Sequence, residues 1–232
     1  MEQAAQRLTR LYLGLVLYGV SMAAMVTAHV GVMPWDVLHQ GLVRTGAALG
    51  LRVSLGQMTI VIGALVLLAW IPLRQRPGLG TVSNVLVIGV AVDGALHVLP
   101  VPSSVLLRAA LLLAGVALNA VATALYIGAR LGPGPRDGLM TGIVARTGWP
   151  VRVVRTAIEV AVVAGGWLLG GNFGPGTLVY ALAIGPLVQP LLPRFQVAPL
   201  AVAAPTIAAP TIVAPSGIGS AARQVQQAEV EA

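Results

Sequence analysis

The sequence predicts an all-α, multi-pass membrane protein, and three observations support this prediction. Of the 232 residues, 57% are hydrophobic and only 9% are charged, whereas a soluble domain carries about 25% charged residues. The mean hydropathy is +0.88. Six apolar stretches are long enough to cross a bilayer as helices, and a motif with Pro, Asp and Gly occurs twice between them.

The six predicted spans follow from the thickness of a membrane. A helix needs roughly 20 apolar residues to cross a hydrocarbon core about 30 Å thick. The stretches that qualify are 11–30, 53–72, 81–99, 105–129, 151–170 and 177–192. The first stretch follows Arg7 and Arg10 and so looks like a signal peptide. Because a similar run recurs later in the chain, we interpret it as a retained first span.

Two further apolar segments, 37–48 and 139–144, are too short to cross a membrane alone. They predict short helices at 36–48 and 137–147. One interpretation is a pair of broken, re-entrant helices whose ends are covered by other helices. The other is a pair of ordinary amphipathic helices at the membrane interface.

The distribution of arginine predicts the orientation. All 14 cationic residues are Arg. With six spans and a cytoplasmic N-terminus, the outer side holds Arg44, Arg52 and Arg108. The inner side holds Arg7, Arg10, Arg74, Arg76, Arg130, Arg136, Arg146, Arg152 and Arg194. This bias matches the positive-inside rule, so we predict a bacterial inner-membrane protein with both termini cytoplasmic. Nucleic acid is not an expected partner, because the arginines are scattered between apolar runs rather than clustered on a polar face.

The spans and the composition divide the chain into four parts. Residues 1–10 are a cytoplasmic N-terminus, residues 11–100 hold the first three spans, and residues 105–195 hold the other three. Residues 196–232 are rich in Ala and Pro, and recurrent proline prevents a continuous helix. We predict a disordered cytoplasmic tail there.

An internal repeat predicts how the two sets of spans are related. Residues 28–41 and 129–142 share the pattern A-x-x-G-x-x-P-x-D-x-L-x-x-G, and Gly80-Thr81 matches Gly176-Thr177 further along. Each copy contains three spans, and an odd number of crossings places the copies in opposite orientations. The prediction is an inverted 3+3 repeat, an arrangement that recurs in secondary transporters.

These motifs also carry a resemblance to a known family. Gly31-Val-Met-Pro-Trp-Asp36, Gly132-Pro-Gly-Pro-Arg-Asp137 and Gly176-Thr-Leu178, with Arg155 and Glu159 between the last two, resemble the YczE/YitT-like family of bacterial multi-pass membrane proteins. The likeness covers residues 10–195. It implies a multi-pass plasma-membrane protein, and it implies no particular biochemical activity.

Two aspartates are the first candidate site residues. Asp36 and Asp137 each follow a proline by two positions and stand at the start of a short helix. One interpretation is that each caps the free amides of its helix. The alternative is that the repeat brings the broken-helix ends together, where two carboxylates would bind a cation, a proton or an amine. We therefore expect a small cationic or neutral ligand. Trp35 and Arg136 occupy the same position in the two copies of the motif. They are predicted to be anchors at the outer and the inner membrane interface, respectively.

Acidic and amide side chains inside the spans complete the candidate set. Charged residues at membrane depth are usually paired or line a cavity. Arg155 and Glu159 are four residues apart and predict an ion pair, and Asp93 is predicted to pair with Arg108. Asp93, Glu159 and Asn84 are also candidate ligand contacts.

The remaining patterns exclude several functions. The chain has no Cys, and its three His residues show no metal-ligand spacing, so we expect no metal site. No nucleotide-binding or hydrolase motif is present, so neither a cofactor nor an enzyme activity is expected. The leading hypothesis is a small-molecule transporter or permease-like protein that binds its ligand between two inverted halves.

The alternative is a non-catalytic membrane scaffold or accessory subunit for a biosynthetic or regulatory partner. A membrane protein partner or a second copy of the chain is left open. A cavity between residues 34–41 and 135–142 favours the first hypothesis, and a fully packed junction favours the second.

Overall fold

The computed structural model describes residues 2–197, and these residues form eight α-helices and no strand. The helices are α1 (Glu2–Ala28), α2 (Pro34–Ala48), α3 (Leu55–Leu73), α4 (Leu79–Val98), α5 (Val105–Gly128), α6 (Pro135–Thr147), α7 (Val151–Leu168) and α8 (Pro175–Phe195). The all-α prediction is confirmed for this part of the chain. The predicted tail lies outside the described residues except for Gln196 and Val197. Of these two, Val197 donates its amide to the Gly128 carbonyl at the end of α5.

Five helices, α1, α3, α4, α5 and α8, are long and apolar enough to cross a membrane. The sixth predicted span corresponds to α7, whose 18 residues include three charged side chains, Arg152, Arg155 and Glu159. The first helix begins at Glu2 rather than at residue 11, so most of the predicted N-terminal segment is helical.

The core is built around α1, which packs against both α4 and α5. Leu11, Leu15 and Met22 of α1 are fully buried, as is Val92 of α4. Close approach is possible because Gly19 faces α4, where an added Cβ would lie 2.5 Å from the Ala91 Cβ. Small residues are a common device for close helix packing in membranes.

The two short helices pack on helices of the other half of the chain, whereas α5 and α8 pack together within the second half. Helix α2 packs on α7, α6 packs on α3, and α5 packs on α8. Helices α3 and α4 also contact each other closely, whereas α7 and α8 make almost no contact. Because α7 and α8 hardly touch, a gap lies between them.

Arginine side chains gather at one end of the helix bundle. Arg7 donates to the Ala129 carbonyl at 3.4 Å, and Arg10 donates to the Phe195 carbonyl at 2.6 Å. The start of α1 therefore lies beside the ends of α5 and α8. Arg146 donates to the Pro72 carbonyl and joins the ends of α6 and α3. At the opposite end, Arg44 donates to the Gly170 carbonyl and joins the ends of α2 and α7.

Candidate functional site

The two short helices start in the same way, and the local sequence explains why. Helix α2 begins at Pro34 and α6 begins at Pro135, and proline is favoured at the first helical position because it has no amide hydrogen to satisfy. Before each proline the chain reverses at a glycine with positive φ, +128° at Gly31 and +131° at Gly132. A side chain is strained at such φ values, which accounts for glycine at both positions.

The two reversals make matching contacts with the other half of the chain. The Gly176 amide donates to the Val30 carbonyl at 3.0 Å, and the Gly80 amide donates to the Leu131 carbonyl at 2.8 Å. A threonine follows in each case: Thr177 accepts from the Val32 amide, and Thr81 donates to the Pro133 carbonyl. The motifs that recur in the sequence therefore contact each other crosswise.

The first residues of α2 and α6 meet. The guanidinium carbon of Arg136 lies 4.9 Å from the centre of the Trp35 ring, a distance at which a cation is attracted to the ring face. The prediction that Trp35 and Arg136 are anchors at opposite interfaces is wrong, because residues at opposite interfaces cannot touch. The N-terminal ends of the two helices, each with a partial positive charge, therefore lie close together.

Asp36 is buried beside this meeting point. It is fully inaccessible, and its Oδ1 atom lies 3.1 Å from Nδ1 of the similarly buried His39. The Thr59 hydroxyl lies 3.3 Å from the same nitrogen. Burial lowers the pKa of the His39 imidazole. The second Asp36 oxygen, Oδ2, has no hydrogen-bond partner among the described residues.

Asp137 occupies the equivalent position on α6 with different partners. Its Oδ2 atom accepts a hydrogen bond from the Tyr126 hydroxyl at 3.2 Å. Burial raises the pKa of the Asp137 carboxyl above its ordinary value, and the Tyr126 hydroxyl and the Arg136 charge act in the opposite direction.

Neither aspartate is the N-cap residue of its helix, although the Asp137 carboxylate accepts a hydrogen bond from the backbone of the N-cap residue Gly134. The N-cap residues are Met33 and Gly134, and neither makes a side-chain capping bond. Asp36 and Asp137 are instead the third residues of their helices. The proline at each start lets the helix begin earlier than the capping interpretation assumed.

A cavity of about 340 Å³ lies where the two helices meet, between α5, α6, α7 and α8; we call it the central cavity. Its polar lining residues are Tyr18, Trp35, Thr123, Tyr126, Arg136, Asp137, Arg155, Glu159, Tyr180 and Gln189. A smaller cavity of about 90 Å³ shares Trp35, Arg136 and Asp137 with it and is also lined by Asn84 and His39. The structure therefore brings Asp137, Glu159 and Asn84 to two adjoining cavities, and Asp36 contacts His39, which lines the smaller one.

Three tyrosines around the central cavity were not singled out from the sequence. The Tyr180 hydroxyl donates to Asn119 at 2.9 Å, and Asn119 donates to Ser21 at 2.8 Å. The rings of Tyr18 and Tyr126 meet edge to face at 6.1 Å. Isolated tyrosines in apolar spans look like packing residues, so only their common position in the fold identifies them.

The two predicted ion pairs have different outcomes. The Arg155–Glu159 pair is confirmed, with Nε of Arg155 3.0 Å from Oε1 of Glu159. The prediction of an Asp93–Arg108 ion pair is wrong. Asp93 accepts from the Ser54 hydroxyl at 2.5 Å and the Gly56 amide at 2.8 Å, while Arg108 donates to the Pro102 carbonyl.

Asp93 therefore holds the start of α3 against α4, and it lines neither cavity that surrounds the meeting point. Its carboxylate satisfies amides and hydroxyls at a helix start, which is a favourable place for a negative charge. Among residues 2–197, no group of three His, Asp or Glu side chains is placed to hold a metal ion.

Comparison with known proteins shows which family this chain resembles. The model of a family of unknown function, DUF6198, matches residues 5–192. An uncharacterized protein of Haemophilus influenzae is 37% identical over 179 residues, 77% of this chain and 80% of that protein. The uncharacterized membrane protein YczE of Bacillus subtilis is 34% identical over 196 residues, 83% of this chain and 88% of YczE. No solved structure gives a significant match. The predicted resemblance to YczE is confirmed, and this chain is a membrane protein.

Proposed function

We propose, from the premise that this chain belongs to the DUF6198 family of unknown function, that it is a permease-like protein that binds and moves a small molecule through the central cavity. The observation that carries the proposal is the convergence of the α2 and α6 N-terminal ends on a polar cavity of about 340 Å³. A cavity of this size is within the range of small-molecule sites. A non-catalytic scaffold would have no need of an open junction there.

The matched reversals support two inverted halves. The positive φ values at Gly31 and Gly132 are nearly equal. Each reversal also contacts the start of the last helix in the other half, α8 or α4. A two-fold relation between halves explains both observations, and such a relation within the membrane plane is typical of transporters with alternating access.

The same geometry supports re-entrant short helices and six spans. Tyr18 lies ten residues before the end of α1, which is about 15 Å along a helix. Its hydroxyl nevertheless lies 3.8 Å from the Met33 sulfur, just before α2 begins. This contact supports a chain that leaves α1, returns into the bundle and starts α2 within the membrane. Helix α7 is the sixth span, and its charges face the central cavity through Arg155 and Glu159.

The arginine-rich end of the bundle is the cytoplasmic side on this proposal. Arg7, Arg10, Arg130 and Arg146 make contacts at that end, whereas Arg44 contacts the opposite end. Both described termini of the chain then lie on the cytoplasmic side of a bacterial inner membrane.

Labelling from the two sides of the membrane tests the inverted arrangement. The chain has no Cys, so single cysteines at the exposed Ala48 and Ala145 can be labelled selectively. We expect a membrane-impermeant maleimide to label Ala48→Cys in right-side-out vesicles and Ala145→Cys only in inverted vesicles. Labelling of both positions from the same side would contradict the inverted arrangement of the two halves.

A second pair of cysteines tests the cavity itself. Thr123 lines the central cavity, and Ala117 on the same helix is exposed on the apolar surface. We expect a small hydrophilic thiol reagent to modify Thr123→Cys and to leave Ala117→Cys unmodified, since a thiol in lipid does not ionise. If Thr123→Cys is as unreactive as Ala117→Cys, the cavity is dry and the permease proposal fails.

A further inference from the structure

Arg136 is a cation whose hydrogen-bonding capacity is unused. It lines both cavities at the meeting point and stacks on Trp35. Its guanidinium makes no hydrogen bond or ion pair with another residue of the 2–197 range. A guanidinium carries five N–H donors in a plane, and stacking on an aromatic ring leaves these donors free at its edge. This edge matches the two oxygens of a carboxylate or phosphate.

The acidic residues nearby have other partners, although Oδ2 of the buried Asp36 has no hydrogen-bond partner among the described residues. Asp137 accepts from Tyr126, Asp36 contacts His39, and Glu159 is paired with Arg155. None of them forms an ion pair with Arg136. The N-terminal ends of α2 and α6 add partial positive charge at the same place, and helix N-termini bind anions readily. An oxyanion therefore fits this site better than the cationic or neutral ligand expected from the sequence.

An apolar cleft adjoins the central cavity. It lies in the gap between α7 and α8 and measures about 400 Å³. Its apolar lining residues include Val160, Val163, Trp167, Phe173 and Leu178. Pro34 and Glu159 line both this cleft and the central cavity, so the two spaces adjoin.

The corresponding gap between α3 and α4 is closed. There the helices touch at Gly56 and Gly89, where an added Cβ on Gly56 would lie 2.0 Å from the Gly89 carbonyl oxygen. The α3–α4 pair therefore has no opening equivalent to the cleft between α7 and α8. In a membrane protein an apolar opening of this kind faces hydrocarbon chains.

We propose that the ligand is an amphiphilic anion with a hydrocarbon chain. Its carboxylate or phosphate head binds Arg136 in the central cavity, and its chain lies in the cleft between α7 and α8. This inference rests on the proposed function and names the chemical class of its ligand. Entry takes place sideways from the bilayer, because the cleft opens between two helices.

Binding of radiolabelled oleate to the purified full-length protein in detergent tests the inference. We expect saturable binding that Arg136→Gln weakens by at least about tenfold, the loss typical of a charge-assisted pair. Arg136→Lys keeps the charge and should retain part of the affinity. Arg152→Gln is the matched control, since Arg152 is exposed and lines none of the three cavities. Ala164→Trp, which fills the cleft, should weaken oleate binding as well.

Competitors distinguish the sources of the anion. Lysophosphatidic acid should displace oleate, whereas acetate and inorganic phosphate should not. Displacement of oleate by the short anions at similar concentration would contradict the proposal that the ligand needs a hydrocarbon chain. Equally tight binding of neutral oleyl alcohol to wild type and Arg136→Gln would contradict the proposal that it needs an anionic head. A reactive Thr123→Cys in the same preparation would then leave the permease proposal standing. Equal oleate affinity of Arg136→Gln and Arg152→Gln, with both variants folded, also overturns the inference.

Discussion

Replacement of Gly166 by alanine is expected to destabilise the protein strongly, while the same replacement at the adjacent Gly165 is expected to be tolerated. An added Cβ on Gly166 would lie 2.4 Å from the backbone nitrogen of Leu38, in the contact between α7 and α2. Backbone atoms cannot move aside as a side chain can, so α2 must shift. Overpacking of this kind costs about 1–3 kcal/mol and sometimes more.

Gly165 provides an unusually close control. It lies one position earlier in the same helix, and its added Cβ would find only the Leu38 Cδ1 atom, at 4.0 Å. Thermal unfolding in detergent, followed by size-exclusion chromatography of heated samples, measures both variants. A lower midpoint for Gly166→Ala with an unchanged one for Gly165→Ala is the expected result. Equal midpoints would show that α2 does not pack on α7 through this surface.

Replacement of Asp93 by asparagine is expected to destabilise the bundle more than replacement of Glu159 by glutamine. Asp93 accepts two hydrogen bonds at the start of α3, from the Ser54 hydroxyl and the Gly56 amide. Asparagine keeps one oxygen for the Gly56 amide, but its NH2 group faces the Ser54 hydroxyl, which must then turn from donor to acceptor, and both bonds lose their charge assistance. A hydrogen bond to a charged group is worth about 1.5–3 kcal/mol.

The comparison with Glu159 separates a structural acid from an acid at the cavity. The Arg155–Glu159 pair is partly exposed, with 55% and 33% of the side chains accessible, and exposed pairs contribute about 0–1 kcal/mol. We expect a clear drop in the unfolding midpoint for Asp93→Asn and little change for Glu159→Gln. If Glu159→Gln proves the more destabilising of the two, the assignment of Asp93 to helix anchoring is wrong.

Both predictions concern how the two short helices are held in the bundle. Gly166 decides whether α2 can approach α7, and Asp93 fixes α3, on which α6 packs. Destabilisation at either place should disturb the Trp35–Arg136 contact. The cysteine reactivity at Thr123 would then change even though neither residue lines the central cavity.

The sequence alone was enough to predict that this protein lies in a lipid bilayer and that it is helical. Its low fraction of charged residues and its apolar runs of about 20 residues require helices in a bilayer, because each backbone amide in lipid must be satisfied within its own segment. The repeated A-x-x-G-x-x-P-x-D pattern also located α2 and α6, since glycine and proline have strong local conformational preferences. The i,i+4 pair Arg155–Glu159 was predictable for the same reason: it depends on one helix only.

Only the tertiary structure decided which polar groups meet. Trp35 contacts Arg136 and Asp93 contacts Ser54 rather than Arg108 because of how helices distant in sequence approach one another. The tyrosines of the central cavity come from α1, α5 and α8, and no spacing along the chain links them. The gap between α7 and α8 exists because these two helices do not pack against each other, and no residue pattern in the sequence indicates this. Contacts within a helix follow from its period, whereas contacts between helices depend on side-chain packing along their whole surfaces.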